Sequence, residues 1–263
     1  MIPFFRQIRQ QLLQVAIGTE NKVTKYLLYA LGEIFLVVIG ILIALGINNW
    51  NEERKNSTSE NQYYCLVLDD LNLDYTKIKE LMAASDQRIK VSKEILLELD
   101  AGEQDKRYLL NKFLEAFRGE AFVPRNVTYK DLVSSGNVRL LKDAEIKNSL
   151  VQFYSELENK VTHLQQNGQE ASKQAFELVN SSIEFGLADF NYVNTLLGEE
   201  IVKTLPDTDW TNDSNSPYYK DFQLMLVFNA TMVDRNKQVL GEILKLMEVP
   251  HNLLSKKCQE EMR

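Results

Sequence analysis

Two histidines and two cysteines are all that this chain of 263 residues offers as soft metal ligands and ready nucleophiles. His163 and His251 stand far apart in sequence, and neither belongs to an HxxxH or HExxH pair that would set two metal-binding groups on one helix face. Cys–His or Ser–His–Asp catalysis needs one of those imidazoles as its base, and no motif surrounds Ser134, Ser135, Cys65 or Cys258. Neither GxGxxG nor GxxxxGKS/T occurs, so no loop is built to cradle phosphate. The adjacent carboxylates Asp69-Asp70 and Glu199-Glu200 read as solvated helix faces rather than as acid/base pairs. The expectation is a non-enzymatic protein with no cofactor and no metal.

Three groups of residues remain that chemistry could use. Glu33 is the one ionisable residue in an otherwise apolar run, Leu27 to Ile47. Glu33, Val37, Gly40 and Ala44 fall on one helix face, and Gly40 and Ala44 form a small-xxx-small pair that allows two helices to approach closely. A seam with a second copy or another membrane protein would use Glu33 as its polar group. The alternatives are a side chain that snorkels toward the headgroups and, more demanding, a proton-coupling carboxylate. The second group is a polar turn: Tyr129, Asp131, Ser135, Asn137 and Arg139 bring phenol, carboxylate, hydroxyl, amide and guanidinium around Gly136. The same residue types serve equally as helix-cap and turn chemistry. The third is Cys65 with Cys258. If the first and last long helices run antiparallel the two thiols meet and can form a disulfide; otherwise they remain two unpaired thiols.

The elements that must position these groups begin with the apolar run. As a helix it is about 30 Å long, the thickness of a bilayer's hydrocarbon core. Tyr26, Tyr29 and Trp50 stand at its edges, where amphipathic aromatics favour the headgroup region. A cleaved signal peptide is the rival reading, with Ala44-Leu45-Gly46 as a passable cleavage site, but both the run and the segment before it are long for one. Arg6, Arg9, Lys22 and Lys25 precede the run and only Arg54 and Lys55 follow closely, which puts the N-terminus in the cytoplasm and the rest outside. Phe4, Phe5, Ile8, Leu12 and Val15 share one face of a short helix that suits the inner-leaflet interface, or else belong to a frayed tail. The expected divisions are a cytoplasmic amphipathic segment (1–25), a transmembrane helix (26–50) and an extracytoplasmic helical domain (51–263).

Beyond the span, periodicity predicts helices. From Ser57 to Leu99 the residues Tyr64, Leu68, Leu71, Tyr75, Ile78, Met82, Ser85, Ile89, Ser92, Leu96 and Leu99 alternate spacings of four and three, a heptad seam ending at Gly102. Such a seam serves a coiled-coil dimerisation stalk or the longest helix of an intramolecular bundle, and the later helices favour the bundle. Glu103 to Arg118 reads as a second helix. Thr128 to Asp131 has the spacing of a capping box opening a short third one, ended at Ser134 to Asn137. Asp143 caps a fourth, with the stripe Ile146, Leu150, Phe153, Leu157, Val161 and Leu164; Gly168 interrupts or weakens it, and helix runs on to Ile183. Pro206 to Pro217 is a loop. A final helix from Tyr218 carries the seam Phe222, Leu226, Asn229, Val233, Asn236, Leu240, Ile243 and Met247 until Pro250 breaks it, leaving a polar tail.

The run from Lys25 to Lys55, KYLLYALGEIFLVVIGILIALGINNWNEERK, resembles the N-terminal hallmark of a family of uncharacterised bacterial single-span membrane proteins known only as a domain of unknown function. Phe4 to Leu13 and Thr128 to Tyr154 are similar to further blocks of that family, and the three together cover about a quarter of the chain. Gly46 stands where the family leads one to expect glutamine. The resemblance implies a bacterial inner-membrane anchor and this architecture, and brings no activity with it.

Composition narrows the partners. Thirty Lys and Arg against thirty-seven Asp and Glu give a formal charge of −7, with no dense basic patch beyond the span, which argues against nucleic acid and against broad contact with anionic lipid. Five prolines and eleven glycines are few for an all-β domain. The expected fold is all-α: one N-terminal transmembrane helix followed by an elongated, mostly antiparallel helical bundle. The expected role is envelope interaction or scaffolding, with the bilayer and either a second copy or another membrane protein as partners. The alternative is an extracytoplasmic ligand-sensing bundle, marked by a polar cavity among the helices.

Overall fold

The computed structural model describes residues 22–179 and 182–261, and among them every regular element is helical. The amphipathic segment from Phe4 to Val15 lies outside the described residues. The seven α-helices are α1 (Lys22–Ala101), α2 (Lys106–Phe117), α3 (Val127–Ser134), α4 (Ala144–Val179), α5 (Asn191–Leu197), α6 (Glu199–Val202) and α7 (Pro217–Glu261). Short 3₁₀ turns lie at Asn137–Leu140, Ile183–Phe185 and Leu187–Asp189. The described residues fall into two compact units, one ending at Asn61 and the other beginning at Gln62.

The first unit holds the apolar run, carried on α1, the one helix among the described residues of that unit. In the second unit α1 and α7 are antiparallel. Cys65 is bonded to Cys258, Asn72 meets His251, and Asp86 pairs with Lys237. These contacts step seven and then fourteen residues up α1 and the same intervals down α7, whole heptads in both helices. The heptad helix thus packs within its own chain.

The buried seam of α1 is Tyr64, Val67, Leu71, Asp74, Ile78, Leu81, Ser85, Ser92, Ile95 and Leu99, with half-buried Arg88 completing the period. Every second expected position is therefore off by one residue: Val67 replaces Leu68, Asp74 replaces Tyr75, Leu81 replaces Met82, Arg88 replaces Ile89 and Ile95 replaces Leu96. Because α1 packs against several helices, the flanks of its seam are apolar too, and the polar residues Asp74 and Arg88 hid the true register.

Two apolar cores fill this unit. One joins Tyr64, Leu71 and Ile78 of α1 to Phe153 of α4 and Ile243 and Leu254 of α7. The other joins Ile95 and Leu99 to Phe113, Phe185, Trp210 and Phe222. Trp210, on the Pro206–Pro217 loop, is 1% exposed; it stacks on Phe185 and donates from Nε1 to the Phe185 carbonyl at 2.7 Å. The loop expected from its polar composition is thus pinned by one aromatic residue. Lys106, 6% exposed, binds the segment from the other side through Asp207, Asp189 at 2.9 Å and the Thr208 carbonyl at 2.9 Å.

Helix ends follow the sequence in part. Gly102 (φ +66) ends α1 in the left-handed region that glycine tolerates. Asp105 caps α2, accepting from the Tyr108 N–H at 2.7 Å. Asp143 caps α4, accepting from Glu145 and Ile146. Four expectations need correction. The second helix begins at Lys106, not Glu103, because Asp105 is its cap. Gly168 does not interrupt α4, which runs unbroken to Val179, while Ile183 begins a separate 3₁₀ turn; residues 180 and 181 lie outside the described residues. The capping box at Thr128 does not form: α3 starts at Val127 after Asn126, the Thr128 N–H is met by Asp70 of α1, and the Arg125 N–H just ahead of the helix by Asp74. Pro250 does not end α7, which continues to Glu261. Its missing N–H costs one helical bond, but Met247, Leu254 and Cys258 on either side are buried against α1, and that burial holds the helix on course.

Candidate functional site

The membrane face comes first. Among the described residues one helix is long and apolar enough to cross a bilayer, and none of its apolar window is buried. Glu33, Val37, Gly40 and Ala44 are all exposed on it, and a Cβ added at Gly40 meets nothing within 4 Å. Among the described residues of its own unit, nothing covers this face.

The polar turn does not assemble into a pocket. Tyr63 of α1 donates to Asp131 Oδ2 at 2.9 Å and accepts from Asn137 Nδ2 at 3.0 Å, tying α3 and the following 3₁₀ turn to α1. Ser135 Oγ donates back to the Asp131 carbonyl at 2.6 Å, a local turn bond. Tyr129 points elsewhere and stacks on Tyr154, ring centroids 3.9 Å apart. Arg139 is exposed and its side chain does not join the others. These residues fasten helices. Cys65 and Cys258 do come together, with Cα atoms 5.7 Å apart, and fasten α1 to α7.

Beside the turn lies an acidic pair, Asp74 buried and Asp70 partly so, that periodicity did not reveal. Asp74 is 2% exposed, and both its oxygens accept the Arg125 N–H at 3.0 Å. Asp70, one helical turn earlier, accepts the Thr128 N–H at 3.3 Å. Asp70 thus caps α3 from α1, while Asp74 fastens the strap that leads into it. Burial pushes Asp74 up to about 6; Asp70 pushes the same way, and the Arg125 N–H and guanidinium oppose. The Tyr154 hydroxyl is buried without a hydrogen-bond partner and held well above the ordinary tyrosine range by burial, then by Asp70 and Asp74.

A concavity lies farther along the bundle, where the two apolar cores separate. It is a half-open cleft of about 710 Å³ walled by α1, the C-terminus of α2 and the strap after it, α4 and α7. Arg88 donates from Nε to the Ala116 carbonyl at 2.9 Å and from Nη2 to the Phe117 carbonyl at 2.6 Å, satisfying the last turn of α2. Asn229 of α7, 3% exposed, donates to the same Ala116 carbonyl at 3.1 Å. Asn236 accepts from Asn167 at 2.9 Å. Gly119 makes room for the guanidinium: a Cβ there would come within 2.4 Å of Nη1. Gly168 opens the opposite wall, since a Cβ there meets nothing within 4 Å.

A family model matches residues 33–212, more than half of the chain. The chain belongs to the family of unknown function DUF6090. No curated protein and no solved structure matches it. The DUF6090 match takes in the exposed α1 face with Glu33, the polar turn, the acidic pair and the α1, α2 and α4 walls of the cleft, while its α7 wall lies beyond the match.

Arg88 was missed because a heptad reading looks for apolar residues and passed to Ile89. A signal was nevertheless present. Ser85 and Ser92 on the α1 seam, and Asn229 and Asn236 on the α7 seam, mark a stretch where two antiparallel apolar stripes both turn small or polar. Helices that meet through such positions cannot close into a dry core.

Proposed function

We propose that this DUF6090 protein is a non-enzymatic membrane-anchored helical protein of the bacterial inner membrane, with its N-terminus in the cytoplasm and its bundle in the periplasm, acting by contact with a second copy or another membrane protein. The observation that carries this reading is the uncovered apolar length of α1, with Glu33, Val37, Gly40 and Ala44 along one exposed face. A carboxylate and close-approach glycine on one face of a span suit another helix better than lipid. The Cys65–Cys258 bond supports a bundle outside the cytoplasm, where disulfides persist. The acidic balance supports a protein partner over nucleic acid. A second reading, ligand sensing by the bundle with the signal passed to a partner, is favoured by the polar cleft around Arg88.

The test is a phosphatase that is active only outside the cytoplasm, fused after Arg263. Activity from the fusion supports the orientation. A stably expressed but inactive fusion places the bundle in the cytoplasm and defeats the reading.

A further inference from the structure

We propose that the cleft at the join of the two cores binds a small organic oxyanion, its charged head on the Arg88 guanidinium and its apolar body along Leu81, Phe122 and Leu240. This site is independent of the topology and membrane contact proposed above, and either can fail without the other.

The charge pattern leads to an anion. In a chain of net charge −7, the charged residues lining the cleft are Arg88, Arg118 and Glu120, and Glu120 is engaged by Lys77. Arg88 is half-buried, its partners are two neutral carbonyls, and burial lowers its basicity; no carboxylate of the described residues pairs with it. A guanidinium has five N–H donors, so two bonds leave three for a ligand. A partly desolvated cation with spare donors is the usual means of holding a carboxylate or phosphate.

Size and lining lead to the rest of the ligand. About 710 Å³ is the volume of a small-molecule site. Leu81, Phe122 and Leu240 belong to the first apolar core and face one end. Gln165, Gln169 and Asn236 supply neutral donors and acceptors beside them. An amphiphilic acid satisfies both ends, whereas a cation would find no free carboxylate.

The test uses the full chain in detergent micelles with fluorinated probes followed by ¹⁹F line broadening: a fluorinated phenylacetate, a fluorinated hexanoate, and the neutral amide of each, with inorganic phosphate as competitor. The expected result is saturable carboxylate binding with a Kd of about 1 mM or tighter, as suits ligands of about ten heavy atoms. The amides should bind at least about tenfold more weakly, and Arg88→Gln should remove that preference. Displacement by inorganic phosphate marks a site selecting the oxyanion alone; its failure to displace marks a site needing the apolar body. Either supports the proposal, because both require Arg88. Arg88→Gln also removes a cap from α2, so Gly168→Leu provides the second variant: it fills the cleft from α4, leaves that cap intact, and should abolish binding with helix content unchanged. The proposal is overturned if neither acid binds saturably, if acid and amide bind alike, or if binding survives both substitutions.

Discussion

Asp74 is a carboxylate placed where a leucine would serve packing better, and its replacement by asparagine measures what that placement costs. Its folded pKa of about 6 stands above the ordinary 3.8. Below pH 3.8 the group is protonated in both the folded and the unfolded chain and contributes no difference. Between 3.8 and about 6 the folded chain holds the proton and the unfolded chain has lost it, so stability falls as pH rises through this window. Above about 6 both forms are ionised and the full cost of burying the charge is present. At 1.36 kcal/mol per pH unit the interval amounts to about 3 kcal/mol.

Asparagine is neutral at every pH, keeps an acceptor for the Arg125 N–H, and offers an amide donor beside Asp70 and the orphan Tyr154 hydroxyl. Asp74→Asn is therefore expected to stabilise the bundle by about 2–3 kcal/mol near pH 7.5, with the gain shrinking to nothing near pH 4. In a domain of this size that is a rise in Tm of roughly 5–10 °C at the higher pH. Urea unfolding of the full chain in micelles, followed by circular dichroism from about pH 4 to pH 8, measures both arms. The groups facing Asp74 are Asp70 on its own helix, Arg125 on the strap and Tyr154 from α4. The reasoning is refuted if the wild-type chain gains stability from pH 4 to pH 7, or if Asp74→Asn is destabilised equally at both ends.

The other expectations are more local. Cys65→Ser with Cys258→Ser opens a cross-link spanning 193 residues of sequence, and should lower stability by about 2–5 kcal/mol, while the wild-type chain shows a mobility difference between reducing and non-reducing gels. Trp210→Ala removes the side chain that pins the Pro206–Pro217 loop into the second core, and is expected to cost about 3–5 kcal/mol in urea unfolding and to expose that loop to proteolysis. Gly168→Ala adds a methyl in open space within a continuous helix, and should stabilise the bundle by about 0.5–1 kcal/mol in the same assay.

What could be read from the sequence was whatever apolar periodicity encodes. The long exposed apolar helix, its continuation beyond, the α4 stripe and the α7 seam were all legible, because each is written in apolar residues. The antiparallel order needed to bring Cys65 to Cys258 was legible as a condition. The register of α1 was not, because Tyr75 and Ile89 fit the heptad while the positions actually buried hold Asp74 and Arg88. Nor was the start of α3, where Asp70 on another helix accepts the Thr128 N–H, a contact that no local motif can encode.

These two failures have one physical origin. A polar residue in a packed seam is tolerated only when something nearby takes its hydrogen bonds, and in this bundle the takers are the ends of short helices that cross α1. Asp74 takes the Arg125 N–H just before α3; Arg88 takes carbonyls at the end of α2. Each carries the charge that a helix terminus of that sign attracts. The same two side chains therefore hold the α2–α3 segment against α1. At Arg88 the arrangement also keeps the apolar seam from closing: Ser85 and Ser92 flank it on α1, Asn229 and Asn236 stand on α7, and the two cores part at that point to leave the cleft. A bundle built only for stability would place leucine at those positions. Retaining a half-buried cation there, beside a concavity of small-molecule size, is consistent with a surface shaped to hold something as well as to hold itself together.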